Sequence, residues 1–234
     1  MTPVGPEVTV VGALAAYNLV QNLVIPENAY VPANLVVTAG LVAFARNSGM
    51  PLDAIGLGEA QLGDGLRLGG TVAAALGAAF IAASSTRLLD RWLLDERARG
   101  HESGGAAYRS LVRFPLGTAL FEEVAFRGVL DGLWRRRAGA HTARLVGSAA
   151  FGAWHLLPTF RGYPGMGIRN GRSASIRERC IAALSGAVIT GLSGFGFTAL
   201  RERSDSVAAP WLTHAAINAG SYLLARRAWQ ATGG

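Results

Sequence analysis

Apolar residues run through this chain in long blocks parted by short polar or arginine-rich stretches, not in the alternation of a half-buried strand. A helix needs a block of about 18 or more apolar residues with few charges to cross a bilayer. Val8 to Ile25, closed by Pro26, forms a first such block, and a shorter one follows from Val31 to Ala45. Pro51 to Leu68 is polar and glycine-rich with leucines at intervals, the pattern of a segment lying on the membrane surface. Further blocks run from Gly69 to Leu89, from Ser110 to Trp134, from Ala143 to Leu157 with a stop at Pro158, from Cys180 to Leu200 and from Val207 to Ala225. Asp90 to Arg109 is a charged loop. No repeat or second domain is evident, so residues 1–234 are expected to form a single integral membrane domain. The expected fold is all-α: a polytopic transmembrane helix bundle of about seven spans, within a range of roughly six to eight.

Composition supports the same reading. Half of the residues (50%) are hydrophobic and 16% are charged, against about 25% charged in ordinary soluble domains. The net charge of +7 could suggest nucleic acid, but the arginines sit between the apolar blocks, where phospholipid headgroups are the natural counterions. No nucleic-acid partner is expected. Arginines 135 to 137 on one side and those of the 161–179 stretch on the other leave the orientation unassigned by the positive-inside rule. The single cysteine, Cys180, excludes an intrachain disulfide and a cysteine-based zinc cluster. The start of the chain lacks the pattern of a cleaved signal peptide, so the first block is expected to stay as a span of a multi-pass cell-membrane protein.

The fourth block interrupts its apolar run with Leu-Phe-Glu-Glu-Val-Ala-Phe-Arg. A charge near the bilayer centre costs at least about 2.5 to 3.5 kcal/mol, so these groups need partners. Glu123 and Arg127 stand four apart on one helix face with the acid nearer the N-terminus, the favourable order for an ion pair. Glu122 is rotated by about 100° from Glu123 and has no such partner in its own helix. It is the carboxylate left for chemistry, because a carboxylate withdrawn from water beside a second acid becomes a stronger base.

Two other blocks add to it. His155 ends Phe-Gly-Ala-Trp-His, and His214 opens His-Ala-Ala-Ile-Asn, which places His214 and Asn218 on one helix face. A lone histidine on an apolar helix is usually a packed residue. Polar groups on three separate spans, however, face a shared interior, and a polar catalytic cavity between helices is expected. Glu122, His155, His214 and Asn218 could together activate a water and hold an oxyanion. Glu122, His155 and His214 also form a two-histidine, one-carboxylate set able to bind a metal. Ser193, in a glycine-rich stretch without a histidine nearby in sequence, makes a poor nucleophile.

In order along the chain, Glu-Glu-x-x-x-Arg at Glu122, Glu123 and Arg127, Phe-x-x-x-His at Phe151 and His155, and His-x-x-x-Asn at His214 and Asn218 resemble one family's motifs. That family is the CAAX protease and bacteriocin-processing membrane endopeptidases, also called Abi or type II CAAX prenyl endopeptidase-like proteins. The resemblance covers roughly Leu116 to Ser221, within motif-bearing helices spanning about 110 to 225, and the residues before it match only in general character.

The resemblance implies an all-helical intramembrane endopeptidase that hydrolyses a peptide bond with activated water. By motif position, Glu122 is the general base, His155 orients or activates the water, and His214 with Asn218 holds the oxyanion. Glu123 and Arg127 are the supporting pair, and Phe151 packs the site. The implied partners are a peptide or membrane-protein substrate and the lipid bilayer. Eukaryotic relatives trim prenylated C-terminal tripeptides, and bacterial ones are linked to bacteriocin maturation, self-immunity or cleavage of other membrane proteins. No cofactor is required on this reading, with a divalent metal such as zinc on Glu122, His155 and His214 as the alternative. The rival class is a non-enzymatic scaffold or immunity protein, or a proton-coupled transporter. Geometry separates them: a protease gathers its polar groups around one water-sized space, and a proton path strings them along the membrane normal.

Overall fold

The computed structural model describes residues 5–86, 103–162 and 174–231, and every regular element within them is helical. Helix α1 spans Pro6–Leu23, α2 Tyr30–Asn47 and α3 Glu59–Thr86. A nearly continuous helical stretch then begins with α4 (Ser103–Tyr108) and passes through a π-helical segment, Arg109–Ala119. It continues through α5 (Leu120–Glu123), a second π-helical segment, Val124–Leu130, and α6 (Asp131–Trp154). Helices α7 (Leu156–Gly162), α8 (Ile176–Ser204) and α9 (Ala208–Ala231) follow.

The local chemistry accounts for the main boundaries. Pro6 occupies the first turn of α1, where its missing N–H costs nothing. Ser175 and Glu178 form a capping box at the start of α8. Gly139, at φ +82°, breaks α6 into two helical pieces just beyond Arg135, Arg136 and Arg137. The fourth expected span is thus helical as read, but it departs from a regular α-helix. Pro115 lacks an N–H for the ladder, and its carbonyl accepts from Leu120, five residues on. Side chains serve the widened turns: Trp211 Nε1 donates to the Pro115 carbonyl at 2.8 Å and Asn34 Nδ2 to that of Gly117 at 2.6 Å.

Ion pairs and hydrogen bonds collect several helix ends at one end of the bundle. Arg137 pairs with Glu7 at 3.0 Å, Arg136 donates to the Ser48 carbonyl, and the Val207 N–H donates to the Gly56 carbonyl. Glu202 joins Arg135 and Arg144 there. A cavity of ≈ 410 Å³ at this end is lined by Asp53, Ala54, Arg135, Arg201, Glu202 and Asp205, none of them a predicted site residue. Near the end of α6, α6 and α8 touch backbone to backbone: a Cβ on Gly152 would lie 2.5 Å from the Ala187 carbonyl oxygen.

Three stretches among the described residues are long and apolar enough to cross a membrane: Glu27–Asn47, Asp53–Thr86 and Ile176–Ser204. They correspond to the second, third and sixth expected spans, and they mark the chain as a membrane protein. The expected count of seven is not reached by length and apolarity alone. The remaining helices carry a heavier polar load, such as Glu7, Asn18, Gln21 and Asn22 in α1 and the arginines around the Gly139 break in α6.

The expected surface segment from Pro51 to Leu68 is divided: a 3-10 turn at Asp53–Ile55 precedes α3, which already begins at Glu59. At about 1.5 Å per residue α3 is about 42 Å long, more than the roughly 30 Å of hydrocarbon it would cross. Its polar first turns therefore continue the span rather than lying across it. The expected loop from Asp90 to Arg109 is helical from Ser103, and its earlier residues, with the expected span end at 87–89, lie outside the described residues. The fifth block ends at His155, and Pro158 sits in the first turn of α7, where proline is tolerated.

Candidate active site

Glu122 and Glu123 form the last turn of α5, between the two π-helical segments. Short π-helical insertions are frequent at functional sites because they turn side chains out of α register. Both acids are buried, Glu123 fully so. His155 follows the last residue of α6 at φ −85°, ψ −5°, the bridge region in which active-site residues often sit. His214 projects from the second turn of α9 and is also buried.

These side chains meet around one carboxylate oxygen. Glu122 Oε2 is 3.8 Å from His155 Nε2 and 3.9 Å from His214 Nε2. It is buried and has no hydrogen-bond partner among the described residues. The other oxygen, Oε1, accepts from Trp154 Nε1 at 3.1 Å. Each histidine is held through its second nitrogen. His155 Nδ1 is 2.8 Å from the Phe151 carbonyl and His214 Nδ1 is 2.8 Å from Glu123 Oε1. A carbonyl and a carboxylate accept only, so both Nδ1 atoms carry protons and both Nε2 atoms face Glu122.

Glu123 Oε1 also receives Arg127 NH1 at 3.2 Å, which is the ion pair expected from the four-residue spacing. The Arg127 guanidinium is almost wholly buried and lies 3.9 Å from the centroid of the Phe151 ring. Phe151 therefore packs between the supporting pair and both histidines, with ring centroids 4.7 Å from His155 and 6.0 Å from His214. Phe197 of α8 stacks on His214 at 5.0 Å.

Glu122, Glu123, Arg127, Phe151, His155 and His214 thus come together as one cluster. Asn218 lies one turn beyond His214 on α9, half-buried, and no side-chain hydrogen bond ties it to the cluster among the described residues. Ser193 turns its hydroxyl to the Ile189 carbonyl. Trp154 and Phe197 were not anticipated from the sequence. The signal for Trp154 was present, since a buried indole N–H requires an acceptor and Trp154 directly precedes His155.

The metal alternative can be tested on the same distances. A tetrahedral zinc with bonds of about 2.0 to 2.2 Å holds its ligand atoms about 3.3 to 3.6 Å apart. The two Glu122 to histidine separations are wider, and no group of three or more His, Cys, Asp or Glu side chains among the described residues is gathered to hold a metal ion. The set does not fit a preassembled zinc site.

Compared with known proteins, residues 105–220 match the model of the family described as type II CAAX prenyl endopeptidase Rce1-like. No curated protein and no solved structure matches the chain.

Proposed function

The chain belongs, through residues 105–220, to the Rce1-like type II CAAX prenyl endopeptidases, and from that premise we propose that it is a multi-pass cell-membrane endopeptidase in which Glu122 activates water for direct attack on a peptide bond. The observation that carries this reading is Glu122 Oε2: buried, without a hydrogen-bond partner among the described residues, and facing two imidazole nitrogens at 3.8 and 3.9 Å. A water with hydrogen bonds of about 2.8 Å bridges either gap.

In the proposed reaction His155 Nε2 accepts one hydrogen of that water and orients its lone pair. Glu122 takes the other proton as the water oxygen bonds to the carbonyl carbon and the carbonyl π pair moves onto its oxygen. His214, held through Nδ1 by the Glu123 carboxylate, acts in its doubly protonated form, and its Nε2–H, with the Asn218 amide, meets the oxyanion. Collapse restores the carbonyl, breaks the C–N bond and passes the proton from Glu122 to the departing amine.

The proton-path reading has one feature to draw on. Glu123, Arg127, Asp131 and Arg135 follow one another every four residues toward the arginine-rich end, with Arg135 paired to Asp131. Arginine does not release its proton in proteins, so this ladder fixes charge and does not relay it.

The test compares protein termini in membranes containing the wild type with those containing Glu122→Gln. The family description names CAAX prenyl substrates, so the search covers C-terminal tripeptides as well as internal bonds. The expected result is at least one membrane protein that stays uncut only in the variant. Identical termini in both would overturn the peptidase reading.

A further inference from the structure

Trp154 closes α6, one residue before His155, and is buried in an aromatic box. Phe121 and Phe126 lie 5.4 and 5.8 Å away, and Tyr17 of α1 stacks on it at 6.4 Å. Asn18 of α1 donates to the Trp154 carbonyl at 3.0 Å, so backbone and ring are both fixed. From this position the indole N–H donates to Glu122 Oε1 at 3.1 Å, the one side-chain hydrogen bond that Glu122 makes among the described residues. A carboxylate can turn about its Cγ–Cδ bond and present either oxygen. With Oε1 held, Oε2 is the oxygen turned toward both Nε2 atoms.

We infer that Trp154 is a positioning residue for the general base: its indole N–H selects which Glu122 oxygen meets the water and holds it there through turnover. The inference rests on the peptidase reading for its kinetic consequence, but the contact stands without it. The end of α6 then aligns both reacting groups together, Trp154 through Oε1 and His155 opposite Oε2. The family motif stated for this stretch, Phe-x-x-x-His, leaves position 154 unspecified.

The cleanest test replaces Trp154 by 3-benzothienylalanine, in which sulfur stands for the N–H and the shape is kept. Because a hydrogen bond to a charged group is at stake, kcat on the substrate found in the membrane comparison should fall by about 10-fold to 100-fold. KM should stay within about twofold, the pattern of an interaction that acts on the transition state, and the thermal midpoint should fall by only about 2 to 12 °C, the cost of one unpaired buried acceptor. A packing role alone would leave kcat unchanged in this isostere, and that result, with Glu122→Gln inactive, would overturn the inference while sparing the peptidase reading. Trp154→Phe should show the same loss. An active Glu122→Gln enzyme would instead remove the peptidase reading. Ultraviolet resonance Raman needs no substrate: the indole N–H band of Trp154, isolated by difference against Trp154→Phe, should shift toward weaker hydrogen bonding in Glu122→Leu. An unshifted band would overturn the contact itself.

Discussion

Replacing Glu123 by methionine removes a fully buried carboxylate whose Oε1 serves two donors, Arg127 at 3.2 Å and His214 Nδ1 at 2.8 Å. The Arg127 guanidinium, 1% exposed, is left without its ion-pair partner. Breaking a buried pair from one side costs about 3 to 5 kcal/mol, because the remaining charge stays desolvated. The loss of His214's acceptor adds about 1 to 3 kcal/mol. Arg127→Met should cost less, since Glu123 keeps its hydrogen bond to His214. The double variant should recover much of the loss, as replacement of a whole buried ion pair by apolar groups often does. The assay is reversible unfolding in mixed micelles, followed by helical circular dichroism. For a chain of this size 1 kcal/mol corresponds to about 2 to 4 °C in Tm, so a 5 kcal/mol loss in Glu123→Met should lower it by about 10 to 20 °C. A Glu123→Met protein within about 1 kcal/mol of the wild type, or a double variant less stable than Glu123→Met, would refute the claim that this pair holds the site together.

Glu122→Gln keeps the shape of the side chain and should unfold at the wild-type midpoint while losing turnover; normal turnover would end the general-base assignment. Asn218→Ala should lower kcat by about 100-fold to 1,000-fold with little change in KM, the signature of a lost oxyanion donor. An unchanged kcat would leave the oxyanion to His214 alone. Cys180 is exposed and unpaired, so alkylation should label it without affecting activity, and inactivation shared by Cys180→Ala would point to a thiol mechanism. A strong chelator should leave the enzyme active. One stoichiometric zinc, lost together with activity in His155→Ala or His214→Ala, would establish the metal alternative instead.

The helical class was legible because apolar blocks of this length admit few other structures in a bilayer. The count of spans was less legible, because hydropathy registers polar side chains without registering who satisfies them. Helix α1 illustrates this: Asn18 bonds the Trp154 carbonyl and Gln21 bonds Asn34, so polar residues that lower its hydropathy are engaged inside the bundle. The two π-helical segments were invisible for a related reason. Pro115 announces a break in the ladder, but the sequence does not say that Trp211 and Asn34, distant along the chain, supply the donors that let the carbonyls of Pro115 and Gly117 widen into π turns.

For the candidate site, spacing on a single helix was readable and orientation across helices was not. The Glu123–Arg127 pair followed from four-residue geometry and survives a local change to π turns. Which oxygen of Glu122 would face the histidines could not follow from any spacing, because it is set by an indole 32 positions away. The same reasoning bears on where the working unit begins. The family match starts at residue 105, yet the fully buried Asn34 accepts from Tyr17 and Gln21 and donates to the Gly117 carbonyl, five residues before Glu122. Without α1 and α2 that carbonyl and the Trp154 carbonyl would lose their donors, and a buried acceptor left unpaired costs about 1 to 3 kcal/mol. The geometry of Glu122 is therefore supported from outside the matched segment: α2 braces the helix that carries Glu122, and α1 braces the tryptophan that bonds its carboxylate.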